Sequence, residues 1–198
     1  MRQEEFLERL RRRPAGRHLP PAESAPDLPA PPADLVRVFA EMATKAGCRV
    51  AEGSFDQLRA RLKDEVGQAP VLHGAEEEVL RLSEGLDEVD VDDPFAAEWG
   101  VALADGGVAR TGSMCFVRRQ VSPLTATLVP PRIAVLVPDA KIVWDLKDYL
   151  ASPPKGGSLA VVSGPSRSAD IENDLSIGVH GPGDVLVLLW HDEPQQAE

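Results

Sequence analysis

Residues 158–190 constrain the fold most tightly. They read SLAVVSGPSRSADIENDLSIGVHGPGDVLVLLW. Two apolar runs, Leu159–Val162 and Val185–Trp190, bracket a polar segment and two Gly-Pro turns. Runs of this length, rich in Val and Leu and bounded by Gly and Pro, suit strands buried on both faces. The polar segment between them, Ser168–Ser176, reads as a short helix with Asp170 and Glu172 in its first turn. The polar side chains Ser163, Ser166, Arg167, Ser168, Asp170, Glu172 and His180 must then gather at the strand ends. Open α/β sheets place ligands at strand ends.

The rest of the chain alternates in the same way. The spacing of Leu35, Phe39, Met42 and Ala46 predicts a helix capped by Asp34. Cys48–Ala51 reads as a strand. Ser54 opens a second helix, with Gln57 in the capping-box position and Leu58, Leu62 and Val66 facing inward. Pro70–His73, Ala97–Ala104, Met114–Val117 and Ile133–Val137 read as strands, and Ala75–Ser83 and Ile142–Leu150 as helices. Alternation of this kind predicts an α/β domain with a largely parallel or mixed sheet.

Composition sets the organisation. Residues 2–13 read as a basic amphipathic helix carrying Phe6, Leu7 and Leu10 on one face. Seven of the 18 prolines fall in residues 14–33, which read as an extended or irregular linker. The α/β domain spans 34–190, and 191–198 is a polar tail. The net charge is −11, which disfavours nucleic acid as a partner because phosphate is repelled. No apolar run approaches the roughly 20 residues of a membrane helix, and no signal-type apolar segment follows the basic start. The chain is therefore expected to be cytoplasmic. Its two cysteines, Cys48 and Cys115, are expected to be free thiols and cannot supply the ligands of an iron–sulfur cluster. No metal site is expected.

Three turns offer chemistry. Gly164-Pro165-Ser166-Arg167-Ser168 follows a strand, where Gly permits close approach of a ligand. His180, between Gly178 and Gly181, is a candidate acid–base group with Asp170 as its orienter. Thr111-Gly112-Ser113 joins two strands and offers two hydroxyls to the same cleft. Arg118, Arg119 and Arg132 follow, and arginines around hydroxyls suit a carboxylate or phosphate. The expected site thus comprises Asp170 and His180 as catalytic groups. Thr111, Gly112, Ser113, Arg119, Arg132, Gly164, Ser166 and Gly181 would bind the ligand. His73, beside Gly74, is expected to be structural.

These segments resemble the lactate-utilization protein C family of stand-alone LUD-domain proteins. The resemblance is carried by SGPSRSADIENDLSIGVHGPGDVLVLL at 163–189, by Thr111-Gly112-Ser113, and by LVPPRIAVLVPDAKIV at 128–143. It implies a three-layer α/β/α fold of the sugar-phosphate isomerase and CoA transferase type. It also implies an accessory role in oxidising L-lactate to pyruvate, beside partner subunits that carry iron–sulfur clusters, and no cofactor in this chain. A pocket is carried over, and no mechanism. The family usually has an acid before Thr-Gly-Thr/Ser, where this chain has Arg110. The alternative expectation is an independent enzyme acting on a phosphorylated or CoA-linked metabolite at the strand-end site. A third is a scaffold whose basic amino-terminal arm docks on a partner.

Overall fold

The structure is a computed structural model describing residues 29–117, 125–152, 158–169, 175–177 and 181–191. Residues Pro31–Glu198 form one compact unit. In chain order its elements are α1 (Leu35–Lys45), β1 (Arg49–Gly53), α2 (Phe55–Val66), β2 (Pro70–His73), α3 (Glu77–Ser83) and β3 (Asp87–Glu88). There follow β4 (Trp99–Leu103), β5 (Gly106–Val108), β6 (Ser113–Val117), α4 (Thr125–Leu128), β7 (Arg132–Pro138), β8 (Ile142–Val143) and α5 (Leu146–Ala151). Last come β9 (Leu159–Val162), β10 (Arg167–Ala169), β11 (Leu175–Ile177) and β12 (Asp184–Trp190).

The central sheet has the order β1-β12-β7-β4-β2-β3, with every neighbouring pair parallel. Strands β7 and β12 lie side by side in register, Val135 opposite Val187. Their sequences are apolar at every interior position because both faces are covered. Ile133, Val135, Val137, Val185, Val187 and Leu189 pack against Phe39 and Ala43 of α1 and Met114 and Phe116 of β6. Ala134, Leu136, Leu186 and Leu188 pack on the other face against Leu58, Leu62 and Val66 of α2 and Val79 and Leu82 of α3. The result is the expected layered α/β fold with a largely parallel sheet. The layer beside α1 also contains a second sheet, ordered β8-β5-β6-β9.

The two leading helices start as their caps dictate. Asp34 accepts the Arg37 backbone N–H at 2.9 Å. At Ser54 the capping box is closed in both directions, the Ser54 N–H donating to Gln57 Oε1 at 2.9 Å. Arg49 fastens the amino end of the sheet. Its guanidinium donates to both carboxylate oxygens of Asp184, at 3.1 and 2.9 Å, and to Glu65 at 2.7 Å.

Three expected elements differ. Leu159–Val162 is a strand, but not one buried on both faces. It is an edge of the second sheet, with Ala160 and Val162 on the core and Leu159 and Val161 exposed. The expected helix 168–176 is not formed: Arg167–Ala169 pairs antiparallel with Leu175–Ile177. The segment has no apolar stripe at helical spacing to pull a helix onto the core. The expected helix at 142–150 begins late. Ile142 and Val143, both β-branched, join Gly107 and Val108 as a parallel pair, and Asp145 then caps α5.

Residues 1–28, the expected amino-terminal helix and most of the linker, lie outside the described residues. The polar tail is described only at His191. Its N–H donates to Gly53 O at 3.1 Å, and its Nδ1 lies 3.0 Å from Asp139 Oδ2.

Candidate functional site

The site forms around the end of α1. This helix precedes β1 and runs back along the sheet, so its last turn reaches the amino ends of the parallel strands. Two glycine-bearing turns settle on that turn. Gly112 has φ +63°, and a Cβ there would stand 2.2 Å from Ala43 N. Gly164 has φ +81°, and a Cβ there would stand 2.4 Å from Ala46 O. Only glycine combines that backbone with that approach. The two turns are thereby pressed against neighbouring residues of one helix.

Their hydroxyls meet as a consequence. Ser113 Oγ lies 2.6 Å from Ser163 Oγ and 2.7 Å from Thr111 Oγ1. Ser113 is buried, whereas Thr111 and Ser163 are exposed. Each hydroxyl carries one proton and two lone pairs. Three hydroxyls joined by two bonds keep one O–H unused; with the bonds running head to tail, that O–H lies at one end of the row and free lone pairs at the other. Such a row donates to an anionic oxygen at one end and accepts a hydroxyl proton at the other.

The second turn continues beside this row. The Ser166 N–H donates to Pro182 O at 2.8 Å, and a Cβ on Gly181 would stand 3.2 Å from Ser166 Cβ. Gly183 N–H in turn donates to Pro131 O at 2.9 Å, so the cluster sits where β12 and β7 begin. Arg167 lies over the same helix turn, its Nη2 donating to Ala46 O at 3.0 Å.

The structure thus brings Thr111, Gly112, Ser113, Gly164, Ser166 and Gly181 to one side of the sheet. Arg132 is not among them. It lies on the face of Trp99, with Cζ 5.8 Å from the indole centroid, while its neighbour Ile133 points to the face that bears α1. The alternation of a strand separates them: one residue's shift in register changes the face. The cluster also lies at the amino ends of the parallel strands, whereas open sheets usually place ligands at the carboxyl ends. Arg119, Asp170 and His180 lie outside the described residues.

An ion pair flanks the first turn. Arg110 Nε lies 2.5 Å from Asp145 Oδ2, and the Lys147 backbone N–H donates to Asp145 Oδ1 at 3.0 Å. The Lys147 N–H and then the Arg110 guanidinium hold the Asp145 carboxyl below the usual carboxylate range. An acid therefore stands beside the Thr-Gly-Ser turn although position 110 itself is basic. Sequence reasoning missed Asp145 as part of this neighbourhood, and it named Arg167 among the strand-end polar groups without giving it a place in the ligand-binding set. Nothing in the spacing signals either contact, because Asp145 is 35 residues from Arg110 and Arg167 is 121 from Ala46.

Both cysteines are buried free thiols. Desolvation pushes each up to about 11, so neither is a thiolate nucleophile at neutral pH. Among the described residues no group of three or more His, Cys, Asp or Glu is placed to hold a metal ion. A separate cavity of about 160 Å³ lies under α3 at the β2–β3 edge, lined by Val71, His73, Leu80, Ser83, Glu84 and Glu88 among others. There His73 bridges Gly74 O at 2.9 Å and Glu88 Oε1 at 3.1 Å. Two carboxylates on its wall make it a poor anion pocket. Among the described residues no helix is long and apolar enough to cross a membrane.

Comparison with known proteins agrees with this architecture. The LUD domain family model matches residues 31–190, and the chain belongs to that family. It is 31% identical over 107 residues to lactate utilization protein C of an Exiguobacterium species, covering 48% of this chain and 45% of that one. It is 26% identical over 185 residues to lactate utilization protein C of Halalkalibacterium halodurans, covering 80% of each. An uncharacterized protein of Neisseria meningitidis is 32% identical over 94 residues, 45% of this chain and 40% of its own. The chain thus spans half or less of the first curated relatives that it matches, which include lactate utilization protein C 1 of Bacillus mycoides at 50%. The crystal structure of a DUF162 family protein from Deinococcus radiodurans shares the fold. Its TM-score is 0.63 at 17% identity, over 82% of this chain and 99% of that one.

Proposed function

We propose that this protein serves lactate utilization as an accessory component of an assembly that oxidises L-lactate to pyruvate. The hydroxyl row at the end of α1 would receive a small carboxylic acid. Membership of the LUD-domain family, with relatives that bear the name lactate utilization protein C, supports the role. The observation that carries the location is the Ser113–Ser163 contact, which joins the two glycine turns into one polar surface.

Conversion of L-lactate to pyruvate removes two electrons and two protons from the carbinol carbon and its hydroxyl. Serine and threonine side chains bind and orient such a molecule but do not accept electrons. Iron–sulfur clusters in partner subunits are the proposed acceptors, since two buried cysteines fall short of a cluster's usual thiolate set. Thr111 and Ser163, the exposed ends of the row, would hydrogen-bond the acid's hydroxyl and carboxylate, with buried Ser113 linking and orienting them. Ser166 and Gly181 would form the neighbouring wall.

Deletion of the gene, in a host with no redundant lactate dehydrogenase, is expected to abolish growth on L-lactate while leaving growth on pyruvate intact. Affinity purification of the tagged full chain is expected to bring down proteins with the visible absorbance of iron–sulfur clusters. Normal growth on L-lactate after deletion would contradict the role.

A further inference from the structure

We infer that Arg167 is the cationic anchor of this site, gripping the carboxylate of a small monocarboxylic acid beside the Ser113–Ser163 pair. The inference rests on the reading of the hydroxyl row as the acid-binding surface and names the group that supplies its charge.

Among the described residues, the arginines around the cluster differ in what they meet. Arg110 is neutralised by Asp145, and Arg49 by Asp184 and Glu65. Arg132 lies on the opposite face of the central sheet over Trp99. Arg167 is exposed, and among the described residues its side chain donates to the neutral carbonyl of Ala46 and meets no carboxylate. Of the described arginines here, it is the one whose positive charge is left to the row. Its place is also built. Gly47 leaves room for the guanidinium, because a Cβ there would stand 2.5 Å from Arg167 Nη2. The bond to Ala46 O fixes one edge of the planar fork. A guanidinium has five N–H donors, so four remain for a ligand. Two parallel N–H groups match the two oxygens of a carboxylate, whereas a lysine ammonium does not. Pre-fixing the fork lowers the entropy lost when an acid binds. Ser166 directly precedes it in the chain, and Ser163, three residues earlier, belongs to the hydroxyl row.

The test uses the full chain and three probes: sodium L-lactate, sodium pyruvate and uncharged propane-1,2-diol. Affinities are measured by NMR titration for wild type, Arg167→Gln, Arg167→Lys and Arg132→Gln. Wild type is expected to prefer either carboxylate over the diol. Arg167→Gln is expected to lose at least about tenfold in carboxylate affinity and to bind the diol unchanged. Arg167→Lys, which keeps a donor for Ala46 O, is expected to recover only part, and Arg132→Gln to match wild type. If Arg167→Gln is too unstable to titrate, Arg167→Lys with its thermal transition preserved decides the matter. Carboxylate binding by both Arg167 variants equal to wild type would overturn the anchor and leave the hydroxyl row standing. Failure of wild type to bind either carboxylate would overturn the acid-binding surface itself, and Arg167 with it.

Discussion

Ser113 Oγ and Ser163 Oγ stand 2.6 Å apart although fifty residues separate them in the chain. In the register of β6 with β9, Met114 faces Val162, so the two serines lie one step beyond that pair. The antiparallel ladder therefore delivers them to the same edge, and α1 holds both turns down.

The glycines should be the most sensitive positions in the cluster. Gly112→Ala places a methyl 2.2 Å from the Ala43 nitrogen in a left-handed backbone. Strain and overpacking together should cost about 3 kcal/mol. A denaturant midpoint lowered accordingly, with an unchanged slope, is the expected result.

The thiols should be silent in the native state. Cys48 and Cys115, pushed up to about 11 by burial, should not react with a thiol reagent at pH 7.5 until the chain unfolds. An unfolded cysteine ionises near pH 8.5. The folded state's preference for the neutral thiol is thus fully present below that pH, and stability should fall as pH rises from about 8.5 towards 11. Thermal melts across that range check the sign.

Asp145 gives the opposite slope. Its carboxylate is favoured in the fold by the Lys147 N–H and by Arg110. That contribution is present above the unfolded value near pH 3.9 and is lost as pH falls through the lower folded value. Asp145→Asn should lower the melting temperature at pH 7 and narrow the gap to wild type in strong acid.

The Arg49–Asp184 pair joins the amino ends of adjacent strands with two N–H···O bonds. It is partly exposed, so Asp184→Asn should cost only about 1 kcal/mol. Raised salt should shrink the difference between the two proteins in urea unfolding.

Much of the fold was legible because two-faced burial writes itself into composition. Ile133–Val137 and Val185–Trp190 are apolar throughout and prove to be the central parallel pair. The same apolar character misled at Leu159–Val162, where one face is covered and the other is exposed. The hairpin-forming pair at 167–169 and 175–177 resisted reading because polar residues without a period fix neither helix nor strand. In the site, the glycine and hydroxyl residues were legible as turns. Arg132 was misplaced because proximity in sequence does not say which face of a strand a side chain takes. Arg167 and Asp145 matter through partners far along the chain, and spacing alone carries no trace of those contacts.

The most direct measurement is pyruvate titration of wild type, Ser113→Ala, Ser163→Ala and the double variant by NMR. A shared hydroxyl row predicts a loss of about tenfold on removing either serine and little further loss on removing both, because the two act as one unit. Affinities that stay at the wild-type value in all three variants would contradict it.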